Sequence, residues 1–569
     1  MAAPSPASTD IAPTRPHRWL SSAVVLWYLL ALVLAFPPFG LKWGVLFFLV
    51  PFVAWARTAP AWRDFMGAAL GASWVAWFLI LIWLRHIYPP WGWVALAALS
   101  AEAAIFPTAW MLALRWAGPR MATASPGRAL LGVFALAGWW VVLDWTRSWL
   151  FSGYLWLPLS AAFWHDPLFL QPAAWTGQAG VTFLVVALNL GLGCGLHFLS
   201  SQKNETRGMR LRVALGRPEI YAPILLFCAV FLVWSPLYLF PRLANRQTQA
   251  APLLTAGVVQ PWTPADTKWS AERANLNWQV LQDLTLSLRN QDLDVVVWPE
   301  AAPPFAVQGP GTEDARDHLQ KLVDAEGKPL LFGAVAFGET SSTVAEPARR
   351  LYNALFIMNP LGGLEKTFYA KRKLVPFGEF VPYRTWFPAL GKVVPLDDTS
   401  PGIWDSLLSL TLTNGRKLAV GPLICYEDIF PQLARAETAK GADFFVVVTN
   451  DAWYGTEGGA TQHATHSVLR AVENRRPLLR CGNDGWSGWI DEFGFARALE
   501  QAGGPTGNIS LDPASGEDLT TYFRGVGVFK MYRDRDYDGV ESFYVRHGDW
   551  FVALSAVLAA AGLVVLRKQ

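Results

Sequence analysis

Apolar residues run through this chain in two rhythms. Near 20–36, 41–57, 66–84, 91–116, 129–146, 176–200 and 219–240 they form long stretches, and one more closes the chain at 548–566. Crossing a bilayer's hydrocarbon core takes about 20 predominantly apolar helical residues. The runs therefore predict a polytopic α-helical membrane bundle of about eight transmembrane helices. The first two are short, and Pro37-Pro38-Phe39-Gly40 between them reads as a tight turn. The stretch 148–175, with Trp156, Pro158, Trp164 and Pro167, is apolar but broken, as a re-entrant or interfacial segment would be.

From 250 to 545 the rhythm shortens. Residues 293–298, 329–335, 418–424 and 444–448 are β-rich apolar runs of the kind buried on both faces. Residues 271–289 and 315–325 read as helices, and so do 462–474. The last carries Val468, Leu469 and Val472 on one face and His463, His466 and Arg470 on another. Strands alternating with helices predict an α/β domain. The expected organisation is a disordered arm over 1–18, seven membrane helices over 19–245, the α/β domain over 246–546 and a last membrane helix over 547–569.

Composition agrees with two unlike halves. Hydrophobic residues make up 53% of the 569, Trp alone numbers 30, and mean hydropathy is +0.25. Only 16% are charged, against roughly 25% in ordinary globular chains. A net charge of +3 gives no nucleic-acid surface. Four cysteines are too few for a disulfide scaffold, and Cys194 and Cys228 lie inside apolar runs. The first run has the basic flank of a signal peptide, but further spans follow at once, which favours a retained helix.

Loop charge sets the orientation, because Lys and Arg accumulate on the cytoplasmic side. With the N-terminus inside, the inner segments hold Arg15, Arg18, Arg57, Arg63, Arg115, Arg120 and Arg128. Lys203, Arg207, Arg210, Arg212, Arg217, Arg567 and Lys568 join them, while the outer short loops hold few cations. Both termini are thus expected inside and the polar stretch outside the cytoplasm.

Three polar segments share one design, an apolar strand running into a reactive side chain. They are Val297-Trp298-Pro299-Glu300, Tyr369-Ala370-Lys371-Arg372-Lys373 and Leu423-Ile424-Cys425-Tyr426-Glu427. Strand ends are where α/β sheets gather sites. A thiolate is a strong nucleophile and a good leaving group, suited to carrying an acyl chain as a thioester. Glu300 can take the thiol proton, and Lys371 can face a tetrahedral oxyanion together with the Tyr426 backbone N–H. Lys366 and Lys373 compete for the cationic role. Cys425 could instead be a core cysteine or pair with Cys481. His463 and His466 stand i, i+3 on a helix with no further ligand cluster, so no metal is expected.

These segments resemble the Glu–Lys–Cys triad of the nitrilase superfamily, in the same chain order. Lys371-x-x-Leu374-Val375-Pro376-Phe377-Gly378-Glu379, Ile424-Cys425-Tyr426-Glu427, Thr449-Asn450-Asp451-Ala452-Trp453-Tyr454-Gly455 and Arg476-Pro477-Leu478-Leu479-Arg480 are similar to the apolipoprotein N-acyltransferases. The resemblance implies an αββα-sandwich nitrilase-like domain with Glu300, Lys371 and Cys425 catalytic. It also implies Glu379 as a carboxylate supporting Lys371, with Tyr426 and Glu427 shaping the pocket. Trp269 matches a family position on a mobile substrate-facing loop, and Trp453 and Tyr454 are further substrate-facing residues. The implied reaction needs no cofactor. It moves an acyl chain from a glycerophospholipid to the α-amino group of a diacylglyceryl-cysteine on an apolipoprotein, at the periplasmic face of a bacterial inner membrane.

Residues 380–394 carry Phe380, Val381, Tyr383, Trp386, Phe387 and Leu390, too apolar for a solvated loop, and read as a lid that dips towards acyl chains. Two other readings remain. One is a membrane-tethered amidase that delivers its acyl group to water. The other is a transport role, for which intramembrane charge would speak, chiefly Glu102 and Asp144.

Overall fold

The computed structural model describes the chain apart from residues 1–17, 88, 203–205, 207–212, 265–267, 269, 339–349, 383–398, 404–405, 500–508, 513–520 and 569. The arm, Trp269 and most of the apolar 380–394 segment lie outside the described residues.

Each of the long apolar runs is helical. In chain order they form α1 (Arg18–Val33), α2 (Val50–Ala56), α3 (Trp62–Ile80), α4 (Trp91–Thr123), α5 (Pro126–Arg147) and α6 (Gln178–Ser201). The next, α7, begins as Pro218–Cys228, passes a π-helical stretch at Ala229–Trp234 and continues as Ser235–Gln249. Among the described residues, five helices are long and apolar enough to cross a membrane: α4, α5, α6, α7 and the closing helix at Trp550–Arg567. The run at 41–57 is split into a 3₁₀ turn at Lys42–Leu46 and the short α2. The closing helix docks on α5 through small residues. A Cβ on Gly138 would meet Ser555 O at 2.5 Å, and one on Gly562 would meet Ala135 Cβ at 2.2 Å.

The α/β portion is built on two sheets. The strands are β1 (Ala250–Gln260), β2 (Val295–Trp298), β3 (Leu330–Gly338), β4 (Arg350–Asn359), β5 (Gly363–Leu364), β6 (Tyr369–Ala370) and β7 (Leu408–Thr411). They continue as β8 (Lys417–Ile424), β9 (Phe444–Thr449), β10 (Leu478–Gly482), β11 (Gly488–Ile490), β12 (Ala496–Ala498), β13 (Ile509–Asp512) and β14 (Arg524–Asp534). One sheet runs β13-β14-β1-β2-β3-β4-β5, with β6 beside β4, and the other β12-β11-β10-β9-β8-β7. The central pairs β1–β2, β2–β3, β8–β9 and β9–β10 are parallel, and the edges are antiparallel.

Side-chain alternation along β2 explains the layering. Val295 and Val297 enter the core between the sheets, while Val296 and Trp298 pack under α8 (Ala274–Leu286) and α9 (Glu313–Glu326). Cys481 on β10 sits in the inter-sheet core, with its sulfur 3.4 Å from Val259 O and 3.5 Å from Val297 O. On the far side of the second sheet lie α10 (Pro431–Ala439) and α11 (Gly459–Asn474). The arrangement is helix, sheet, sheet, helix.

Helix α11 departs from its sequence pattern. Its polar face is buried along with its apolar one. The membrane-type bundle covers that face. Gln462 accepts from both Trp83 Nε1 (3.0 Å) and Trp156 Nε1 (2.9 Å) and donates to Pro37 O and Ile80 O. The broken 148–175 segment thus seats the α/β domain rather than lying free against it. The chain leaves through α12 (Trp550–Arg567).

Candidate active site

Glu300, Lys371 and Cys425 follow the ends of β2, β6 and β8. The fold brings them to one buried place, with relative exposures of 6%, 1% and 6%. The turn carrying Glu300 lies so close to β3 that a Cβ on Gly333 would meet Glu300 Cα at 2.7 Å, so glycine is required there.

Lys371 Nζ sits 3.2 Å from Glu300 Oε1 and 2.9 Å from Glu379 Oε1. Asn353 on β4 ties the same atoms together, donating from Nδ2 to Glu300 Oε1 (2.6 Å) and to Glu379 Oε1 (3.2 Å). Its carbonyl accepts from the Lys371 backbone N–H at 2.8 Å. Burial works against the Lys371 charge, but Glu300, Glu379 and Cys425 outweigh it and hold the ammonium well above its ordinary pKa. Lys371 is a permanent cation, flanked by carboxylates that limit how far it can move.

Cys425 heads a sharp turn at a positive φ of 52°, directly after β8. Burial first, then Glu300, push its thiol well above the usual range, while Lys371 pulls the other way. That surrounding favours the thiol over the thiolate, so reaction at this sulfur would call for a neighbouring base. The turn is bolted by Glu427, a fully buried carboxylate. Glu427 accepts from the Ile424 N–H (2.8 Å), the Arg372 N–H (2.7 Å), the Lys373 N–H (3.1 Å) and the Tyr369 hydroxyl (2.9 Å). It therefore holds the lysine-bearing loop and the cysteine-bearing turn at one spacing. Tyr426 points the other way and donates to Gly153 O of the bundle at 2.7 Å.

Tyr454 packs against Trp83 (ring centroids 4.4 Å) and Trp156 (6.2 Å), on the seam between the two parts of the chain. Trp453 precedes it in the same 3₁₀ turn after β9 and is half-buried. Lys373 lies over the Phe430 ring at 4.8 Å, away from the carboxylates that hold Lys371.

Three features escape a reading of the sequence. Lys268 Nζ donates to Glu300 O at 2.9 Å, and burial lowers its pKa to about 8 against the pull of Glu300 and Cys425. Asn353 has no motif around it, although an amide inside the apolar Leu351–Met358 run was a usable signal. The third is a buried cluster behind the cysteine. There a Cys425 sulfur, an Asp451 oxygen and a His463 ring nitrogen lie within 4.8 Å of one another. That is a metal-ligating set by residue type. Here both His463 nitrogens already meet carboxylate oxygens, at 3.0 Å (Asp428) and 2.8 Å (Asp451), so the geometry suits protons rather than an ion.

Fold and site together define a carbon-nitrogen hydrolase domain seated on a helical bundle. Residues 255–513 match the carbon-nitrogen hydrolase family model, and residues 30–191 match the apolipoprotein N-acyltransferase N-terminal domain. An apolipoprotein N-acyltransferase of Rhizobium rhizogenes is 32% identical over 497 residues, covering 81% of this chain and 84% of that protein. One of Geobacter metallireducens is 29% identical over 573 residues (97% and 96%), and one of Chlorobaculum tepidum is 30% identical over 397 (65% and 68%). The chain belongs to the apolipoprotein N-acyltransferase family.

Proposed function

We propose that this protein transfers an acyl chain from a membrane glycerophospholipid to the α-amino group of the N-terminal diacylglyceryl-cysteine of apolipoproteins, through a thioester on Cys425. Glu300 takes the Cys425 proton as sulfur attacks the phospholipid ester carbonyl. Lys371 faces the tetrahedral oxyanion, which collapses to the thioester as Glu300 hands the proton to the departing oxygen of the lysophospholipid and becomes a carboxylate again. The lipoprotein amine then attacks the thioester, giving its proton to Glu300, and the Cys425 thiolate leaves and takes that proton back as a thiol. Asn353 and Glu379 position Lys371 and Glu300, Glu427 fixes the nucleophile turn, and Trp269, Trp453 and Tyr454 face the substrates.

One observation carries the reading: the buried Lys371, pinned between Glu300 and Glu379, shares one buried place with Cys425. The helices explain the substrates, since donor and acceptor are both lipids that arrive laterally. We place all eight apolar helices in a bacterial inner membrane with both termini inside, so that the catalytic domain stands in the periplasm.

Purified protein incubated with labelled phospholipid should form a hydroxylamine-sensitive acyl adduct that a diacylglyceryl lipopeptide discharges. Glu300→Gln and Lys371→Ala should slow adduct formation by roughly 100-fold or more, and Cys425→Ala should abolish it. An adduct that persists in Cys425→Ala overturns the mechanism. Discharge to water at the same rate as to the amine would make the enzyme a phospholipid acyl hydrolase rather than an acyltransferase.

A further inference from the structure

Behind Cys425 stands a set of charged groups that the acyl-transfer steps leave unused. Asp428, Asp451, His463 and Arg480 are fully buried and come from four elements: the turns after β8 and β9, α11 and β10. His463 Nε2 lies 3.0 Å from Asp428 Oδ1 and 3.2 Å from the Cys425 carbonyl oxygen. Both are acceptors, so Nε2 carries a hydrogen. Its Nδ1 lies 2.8 Å from Asp451 Oδ1, which can only accept, and 2.9 Å from Arg480 Nη2, which can only donate, so these contacts by themselves fit Nδ1 with or without a hydrogen. Arg480 also reaches Asp428 Oδ2 at 2.8 Å and Asp451 Oδ2 at 3.1 Å.

Charge balance decides the state of Nδ1. Two carboxylates against one guanidinium leave an uncompensated negative charge in a buried site, and a second proton on His463 cancels it. The remaining charged neighbours cancel or are held neutral: Arg470, whose Nη1 donates to Asp428 O at 3.0 Å, is paired with Glu473 at 2.8 Å, and burial and Asp451 favour the neutral form of Asp484. His466 is held neutral by burial, Thr449 and Ser467 offer hydroxyls, and Trp156 lies stacked on the imidazole with ring centroids 5.6 Å apart.

We propose that His463 is a standing imidazolium that positions the nucleophile: its Nε2–H holds the Cys425 carbonyl in the positive-φ turn, and its charge favours the thiolate. A His463 ring nitrogen lies within 4.8 Å of Cys425 Sγ. When the S–H bond breaks and the proton passes to Glu300, the electron pair left on sulfur is stabilised by His463 as well as Lys371. His463 gains and loses no proton in the step. It also offsets Asp451, which otherwise raises the thiol.

This inference rests on Cys425 being the nucleophile, and iodoacetamide alkylation of Cys425 across pH 6–10, followed by peptide mass, tests the two separately from acyl transfer. His463→Gln keeps a donor towards the carbonyl and removes the charge. Its apparent pKa for alkylation should rise by at least one unit, roughly tenfold slower reaction at pH 7.5. An unchanged profile in a folded His463→Gln protein overturns the role of His463 alone, while wild-type Cys425 that resists alkylation at every pH overturns the nucleophile and this role with it. Should that variant not fold, ¹⁵N-histidine spectra of the wild type decide. One of the eight histidines should stay doubly protonated at pH 8, and its absence overturns the proposal.

Discussion

Single residues at this site are legible only as sets. Burial alone would discharge His463, yet its partners, Asp428 foremost, raise its pKa to about 9. A histidine raised in the fold stabilises it below the unfolded value of about 6.5, and that stability is lost as pH climbs towards 9. Lys268, lowered to about 8, gains stability over the same upper window, so the His463 contribution is read as the difference between wild type and His463→Gln, which should shrink by about 3 kcal/mol between pH 6.5 and 9.5. Asp484, raised to about 7 by burial and Asp451, loses its contribution in a lower window that closes near neutrality, so the two are separable. A Tm difference between wild type and His463→Gln that does not change across the upper window would contradict the charged imidazole.

At the scale of elements, α11 joins the two parts of the molecule. Its sequence has the amphipathic stripe of a surface helix, but Gln462, His463, His466 and Arg470 on the polar side are all buried. Arg470 reaches Gln178 Oε1 at 3.0 Å and Glu473 accepts the Gln178 N–H at 2.8 Å, so the start of α6 is held by the same helix. Gln462 uses both donors and its acceptor on the bundle, and Gln462→Leu would strand two indole N–H groups and two carbonyls. The expected cost is about 2–4 kcal/mol, read as a lower Tm in detergent. A change below about 0.5 kcal/mol, the scale of a surface substitution, would mean that water replaces these bonds.

The whole molecule behaves as one cooperative body in this view. Tyr426 next to Cys425 bonds the bundle, Gln171 Nε2 bonds Phe493 O at 3.0 Å, and Trp550 Nε1 bonds Trp175 O at 2.8 Å. Calorimetry of the full chain in detergent should therefore show a single transition. Two transitions separated by more than a few degrees would show that the domain and the bundle are only tethered. The same contacts predict that residues 250–545 expressed alone are aggregation-prone, since α11 would lose the surface that covers it.

The sequence by itself determined what depends on local pattern. Apolar runs specified helices, four β-rich runs located β2, β3, β8 and β9 with ends within three residues, and the strand-end motifs singled out Glu300, Lys371 and Cys425, which the fold brings to one buried place. Tertiary structure decided what depends on juxtaposition across the chain. Asn353 meets Glu300 and Glu379 from a strand with no motif, and His463 reaches Cys425 from 38 residues away. The burial of α11 follows from the bundle docking on it, which no periodicity within 459–474 encodes. Charges acquire their states in the same way, because a pKa inside a protein is set by which groups the fold packs together and how little water it leaves between them.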